Sequence, residues 1–548
     1  MEVSRRRFMT SVAAGSAFAA VSGTQLASAL TSAASAGSPV GDVVGKITVG
    51  YQGWFACRGD NAPINGWWHW SADMGRPPSR SNNTIVAWPD MREFTNTYPT
   101  AYANLNNGQP ATLFSSYDQQ TVDTHFRWMR ENDIDTAALQ RFNPMGGEGP
   151  TRDAMTAKVR AAAEANGRKF YIMYDVTDWT DMQSEIKTDW TAKMRAMTSS
   201  PMYAMQNGKP VVGIWGFGFN DPKRPWPPGP CLDVVNWFKA QGCYVMGGVP
   251  THWRSGNEDS RPGFLDVYHA FDMISPWMVG RIGNIADTDR FYANVNTPDQ
   301  ADCDAHGIDY QPCVLPGDVT GRQRAHGDFM WRQFYNMTRL GAQGIYISMF
   351  DEFNEGNQIA KTAETIASVP ADSGMLALDE DGTRCSSDYY LRLTGDGGRM
   401  LKREIALTPV RPTPPVVPSS AAIALRSRAN GRFVTAVSGA PLVADGASAG
   451  TAQRFETTDL GNGNVALRAR VNNMYVCAEG AGAQPLIADR ASVGPWETFQ
   501  LVTNPNGTVS LRAQANGRYV CADGAGAQPL IANRAAIGQW EQFDLVTG

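Results

Sequence analysis

Phe455, Phe499 and Phe543 lie 44 residues apart, and each closes a unit whose other landmarks recur with it. Leu425-Arg426 returns as Leu467-Arg468 and Leu511-Arg512. Asn430-Gly431-Arg432-Phe433-Val434 returns as Asn516-Gly517-Arg518-Tyr519-Val520, with Asn472-Asn473-Met474-Tyr475-Val476 between them. Pro441-Leu442-Val443-Ala444 returns as Pro485-Leu486-Ile487-Ala488 and Pro529-Leu530-Ile531-Ala532. Trp496-Glu497 matches Trp540-Glu541, but the first unit carries Ala452-Gln453 there. A repeat of this length leaves few folds open. Turns of the Asn-Gly type between short apolar runs predict about four strands per unit, with no helical period. Three such units are too few for a propeller and fit a β-trefoil, in which the repeats share one core. Residues 420–548 are therefore expected to form an all-β β-trefoil.

The run Pro409-Val410-Arg411-Pro412-Thr413-Pro414-Pro415-Val416-Val417-Pro418 divides the chain, and residues 408–419 read as an extended, semi-rigid linker. Ahead of it, strand-like and helical stretches alternate. Strands are expected over 46–51, 134–142, 170–174, 210–215, 244–248, 273–275, 313–316 and 344–349. Helices are expected over 120–132, 152–166, 234–241 and 329–340. This alternation points to an α/β fold over residues 40–407, a (β/α)8 TIM barrel with long loops, or else a doubly wound open sheet. No Gly-x-Gly-x-x-Gly follows the first strand, so nothing supports dinucleotide binding.

The N-terminus reads as an export signal over residues 1–36. Ser4-Arg5-Arg6-Arg7-Phe8-Met9 has the twin-arginine pattern, a mildly apolar stretch follows, and Ala27-Ser28-Ala29 or Ala34-Ser35-Ala36 offers a cleavage site. A mature secreted protein is the expectation, a monomer with no membrane association. Against 53 acidic residues stand 48 basic ones, with no basic block beyond the signal, which argues against nucleic acid as a partner. Export permits disulfides. Of eight cysteines, Cys231/Cys243 and Cys303/Cys313 are spaced to close small loops, Cys57 and Cys385 are left for each other or as free thiols, and Cys477 and Cys521 read as buried apolar residues. No C-x-x-C spacing occurs; neither a metal nor a cofactor is expected.

Polar and aromatic residues collect just after the strands. Tyr51, Trp54, His69 and Trp70 follow the first, and Asp175 the third. His252 and Trp253 follow the strand ending at Gly248, and Trp277 the one ending at Ser275. In a barrel these ends surround one pocket. The last strand runs into Phe350-Asp351-Glu352-Phe353-Asn354-Glu355-Gly356. Two carboxyl groups in one cleft are what glycosidic cleavage requires, one to donate a proton and one to act as base or nucleophile. Glu352 and Glu355 are the expected catalytic pair. Tyr51, Trp54, His69, Trp70, Asp175, His252, Trp253, Trp277 and Asn354 are the candidate substrate-binding residues.

At these residues two resemblances emerge. The Y-x-x-W-F and W-x-H-W patterns after the first strand, the closing D-E-F-N-E-G-N-Q-I, and Ser386-Ser387-Asp388-Tyr389-Tyr390-Leu391-Arg392-Leu393 resemble glycoside hydrolase family 99, the endo-α-mannosidases, and its relatives near family 71. That resemblance spans most of residues 46–407. It implies a retaining hydrolase of α-linked polysaccharide, endo-acting on α-mannan-type glycans. Glu352 would be the base toward a sugar 2-hydroxyl, giving a 1,2-anhydro sugar, and Glu355 the acid/base; Asp175 falls where the family has a substrate-contacting glutamate. Asp351, Phe353 and Asn354 depart from the family's N-E-W-H-E-G motif. The neighbouring substrates, α-1,3-glucan and pentose-containing glycans, stay open, as does a non-catalytic carbohydrate-binding role. The repeat unit A-L-R-A-x-A-N-G-R-Y-V-C-A looks like the fascin-type β-trefoil appended to secreted carbohydrate enzymes, which implies polysaccharide or oligosaccharide binding.

Overall fold

The structure is a computed structural model that describes residues 37–416, 422–461, 463–491 and 493–547. The twin-arginine segment lies outside the described residues. The chain divides into two compact units, Met1–Pro415 and Val416–Gly548.

The first unit is built on a curled parallel sheet of the TIM-barrel kind. Its strands are Ile47–Tyr51, Thr136–Arg141, Lys169–Asp175, Lys209–Trp215, Tyr244–Val249 and Met273–Pro276, which follow one another in space as in sequence. Ile345–Ile347 lies on the other side of Ile47–Tyr51. The two ends of the sheet, Asp309–Tyr310 and Cys313–Val314, are two residues apart in the chain. Gln311 N donates to Ile274 O at 2.8 Å and Tyr346 N to Pro312 O at 3.0 Å, so this one stretch bonds to a neighbour on each side. The strands are buried on both faces, as the continuous apolar runs require when helices cover a parallel sheet. Helices Gln119–Glu131, Gly149–Asn166, Met182–Ala192, Pro228–Ala240, Thr297–His306, Asp328–Leu340 and Tyr389–Leu401 lie between or after the strands. Gly149–Asn166 starts with a proline in its first turn and stops at Gly167, whose φ of 62° takes the left-handed cap that a side chain would resist.

Side chains alternate across each strand, and this sets which of them reach the sheet's interior. Ile47 packs outward against the helix at Gly398, whereas Thr48 reaches inward to Gln311. A Cβ on inward-facing Gly50 would come within 2.4 Å of the Tyr346 hydroxyl and Met349 sulfur, so glycine keeps that position filled by its neighbours.

The proline-rich stretch does not stand wholly free. Thr408 O accepts from Trp331 Nε1, Arg411 pairs with Asp328 at 2.8 Å, Thr413 Oγ1 donates to Asp396 at 2.6 Å, and Pro415 O accepts from Ser386 N. Residues 408–415 are thus tied to the first unit.

Among the described residues the second unit forms twelve antiparallel strands, four per repeat. Phe455, Phe499 and Phe543 are fully buried in one core with Leu425, Leu467 and Leu511. The repeated polar residues bond locally, three times over. Asn430, Asn472 and Asn516 donate from Nδ2 to the carbonyls of Ala444, Ala488 and Ala532 at 2.6–2.8 Å. Arg426, Arg468 and Arg512 donate from Nε to the turn carbonyls of Gly431, Asn473 and Gly517. The arginine and the asparagine recur because they make these local bonds, and the leucine because it fills the core.

Disulfides are a correction. All eight cysteines are free and buried. Cys57 donates to Phe114 O and Cys385 to Thr383 O, and neither loop-spaced pair is joined: Cys231 lies on helix Pro228–Ala240 and Cys243 just before strand Tyr244–Val249, Cys303 on helix Thr297–His306 and Cys313 at the start of Cys313–Val314. No described helix is long and apolar enough to cross a membrane.

Candidate active site

Glu352 lies just past the last parallel strand and is 1% exposed. Its Oε1 accepts a hydrogen bond from Gln52 Nε2 at 3.1 Å. Asp351, fully buried beside it, accepts from two backbone amides, Gln52 N at 2.8 Å and Gly53 N at 2.9 Å. Burial pushes the Asp351 carboxyl up to about 6 despite those amides and Arg152. The carboxylates after the last strand are thus tied to the segment that follows the first. Glu355 is half-buried, one turn on, and its backbone amide donates to Glu352 O.

Arg152, near the start of helix Gly149–Asn166, joins several of these parts. Nη1 donates to the carbonyls of Gln52 and Gln140, and Glu148 pairs with the guanidinium at 2.9 Å. Its plane lies over Trp68 and Phe142 at 4.8 and 4.5 Å. Burial lowers the Arg152 pKa, and the charges of Glu148 and Asp175 oppose that shift. Trp54 is stacked on His69 with ring centroids 3.7 Å apart, and Phe142, Phe55 and Arg152 also neighbour its ring. Burial, aided by Arg152, holds the His69 pKa well down, so its imidazole is neutral.

A second group surrounds Asp175. Its carboxylate accepts from the Thr177 amide at 3.0 Å and from the Thr177 hydroxyl. Arg224 donates to Thr177 Oγ1 at 2.7 Å and lies over the Trp215 ring, which meets Trp277 edge-on at 5.4 Å. Asp175, Trp215 and Trp277 therefore converge at the ends of three strands. His252 sits at the rim, its Nδ1 2.9 Å from Asp259, and this bond raises its pKa.

Three candidates are corrected. Tyr51 points outward: its hydroxyl bonds to His125 Nδ1 at 3.0 Å, and its ring packs on Phe126 and Phe350. One position along, the strand's alternation brings Gln52 inward to Glu352 instead. Trp70 is fully buried, with its indole donating to Phe114 O and its ring against Phe55 and Phe353. Trp253 is likewise core, against Tyr268 and His269. Trp54 is 7% exposed, stacked on His69, and so largely covered by its neighbours. Sequence reasoning missed Gln52, Arg152, Trp215 and Arg224. Trp215 ends a recognisable strand and was findable by that rule; Arg152 left no local signal.

No family model and no curated protein matches the chain. Among solved structures, the endo-α-mannosidase of family GH99 from Bacteroides thetaiotaomicron aligns with 15% identity over 66% of this chain and all of its own, with a TM-score of 0.48. The designed threefold-symmetric protein ThreeFoil aligns with 23% identity over 23% of this chain and 98% of its own, TM-score 0.22. A Polyporus squamosus lectin, bound to a sialylated epitope, aligns with 11% identity over 23% of this chain and 49% of its own, TM-score 0.22.

Proposed function

We propose that this protein is an exported glycoside hydrolase that cleaves an α-linked polysaccharide with retention, endo-acting on α-mannan-type glycans, and that its second unit is a β-trefoil that keeps it on that polysaccharide. The parallel sheet is read as a closed (β/α)8 barrel, because residues 309–314 bond to the strand on either side. The observation that carries the reading is the Glu352 carboxylate, buried at the C-terminal end of the sheet and held by Gln52, with Glu355 one turn on. Support comes also from Gln52 Oε1, Trp54 Nε1 and Asn354 Oδ1, buried polar atoms with no partner among the described residues. A hydroxyl-rich ligand supplies such partners.

In this reading Glu352 takes the proton of the sugar 2-hydroxyl. The 2-oxygen attacks the anomeric carbon, the glycosidic C–O bond breaks, and the departing oxygen takes its proton from Glu355. Water then gives a proton to Glu355 and its oxygen bonds to the anomeric carbon. The 1,2-anhydro ring opens and its oxygen recovers the proton held by Glu352. Two inversions give net retention.

The test is a glycan panel of α-mannan, α-1,3-glucan and arabinose- or xylose-containing polysaccharides, with product analysis. Released α-configured oligosaccharides, lost in both Glu352→Gln and Glu355→Gln, are expected. Wild-type rates in both variants would end the assignment, and binding without release from any glycan would replace it with a lectin.

A further inference from the structure

Of the sixteen tryptophans, only Trp496 and Trp540 are exposed, at 38% and 37%; the others are buried or half-buried. They occupy the same place in the second and third repeats of the second unit. The backbone of each lies next to an ion pair; Trp496 O accepts from Ala478 N, the residue before Glu479, at 2.8 Å. Glu479 pairs with Arg490 near Trp496; Asp523 pairs with Arg534 at 2.9 Å near Trp540. Arg534 also lies 3.9 Å from Glu541, the residue after the tryptophan. Glu497 and Glu541 are buried and hold their loops by accepting from Gly494 N at 2.8 Å and Gly538 N at 2.7 Å. The strand Tyr519–Ala522 and the turn Gln539–Glu541 bring these parts together in the third repeat.

The first repeat has the same fold but none of this cluster. Ala452 replaces the tryptophan, Gln453 the glutamate, Gly446 the arginine and Val437 the acid. Gln453 bonds to Thr435, so neutral contacts hold the same loop there. The loop's geometry therefore needs neither the indole nor the ion pair. Four positions differ together; in the other two repeats the glutamate after the tryptophan is buried, and the tryptophan, the arginine and the acid of the ion pair lie at the surface.

We propose that Trp496 with Glu479 and Arg490, and Trp540 with Asp523 and Arg534, are two separate glycan-binding sites, and that the first repeat is silent. The indole face covers the C–H face of a pyranose ring, and the arginine and carboxylate bond to its hydroxyls. The ligand class is a neutral polysaccharide with repeated hexose or pentose units, since two sites on one unit profit from a repeating ligand. This inference rests on the polysaccharide-binding reading of the second unit.

The experiment is retention of the full chain on insoluble α-mannan, α-1,3-glucan and arabinoxylan. On a polysaccharide that holds the wild type, Trp496→Ala and Trp540→Ala should each lower the association constant about tenfold or more as attachment becomes monovalent. The double variant should fall to the level of an unrelated protein, with its melting temperature unchanged. Leu545→Ala, another exposed apolar side chain of the unit, should bind as wild type. Equal retention of wild type and double variant overturns the two sites while leaving polysaccharide binding intact. Loss in Leu545→Ala would mean unspecific adsorption and also overturns them. Retention of the wild type on none of the three removes both the sites and the reading beneath them.

Discussion

Gln52 donates to Glu352 at 3.1 Å while its own backbone amide donates to Asp351 at 2.8 Å, so one residue after the first strand grips both carboxylates after the last. The bond to Glu352 orients the carboxylate without neutralising it. Gln52→Ala should lower kcat by about tenfold to a hundredfold, the range for a lost bond to a charged group. The melting temperature should change little, since the backbone amides to Asp351 persist. A variant with wild-type kcat would show that Gln52 does not position Glu352.

Asp351 gives a pH prediction with a definite sign. Its folded pKa, about 6, lies above the ordinary 3.8 because burial disfavours the charge. The folded state then holds the proton more tightly, and this contribution to stability is full below pH 3.8 and lost as pH rises to about 6. Across that window the melting temperature of the wild type should fall relative to Asp351→Asn, and the difference should level off above pH 7. A constant difference from pH 4 to 7 would contradict the raised pKa.

Arg141 carries a stability prediction. It is buried, bonded to Asp189 through two nitrogens at 2.6 Å, and also reaches Asp153; Tyr174 donates to Asp189 as well. Arg141→Ala leaves Asp189 buried without its counter-charge and should cost about 3–5 kcal/mol in denaturant unfolding. A loss under about 1 kcal/mol would mean that water or rearrangement satisfies Asp189.

The thiols are testable directly. With eight free, buried cysteines, a thiol reagent should label none in the native state and all eight after unfolding, and reductant should leave the melting temperature unchanged. Fewer than eight thiols in the denatured, unreduced protein would reveal a disulfide.

Most strands and four helices of the first unit were legible because each carries an apolar run with its own period, whereas helices Met182–Ala192, Thr297–His306 and Tyr389–Leu401 were not read from the sequence. The expected helix over 120–132 is Gln119–Glu131, and the expected strand over 210–215 is Lys209–Trp215. The carboxylates were legible because they follow the last such strand directly. Tyr51 failed as a candidate for the opposite reason. Tyr51 ends the first strand and Gln52 follows it, but pleating sends one to the helices and the other to Glu352, and period-two parity at a strand's end depends on where pairing stops. Arg152 could not be found at all, since a helix surface charge and a guanidinium over two aromatic rings look alike in one dimension.

By itself, the sequence determined the threefold β unit, the alternating α/β unit and the chemical types at the strand ends, because local periodicity and exact repetition are written along the chain. Only the tertiary structure decided which side chains share the site, that the cysteines stay apart, and that two repeats expose a tryptophan beside an ion pair. Those facts depend on distances between residues far apart in the chain, and packing of the whole core sets such distances.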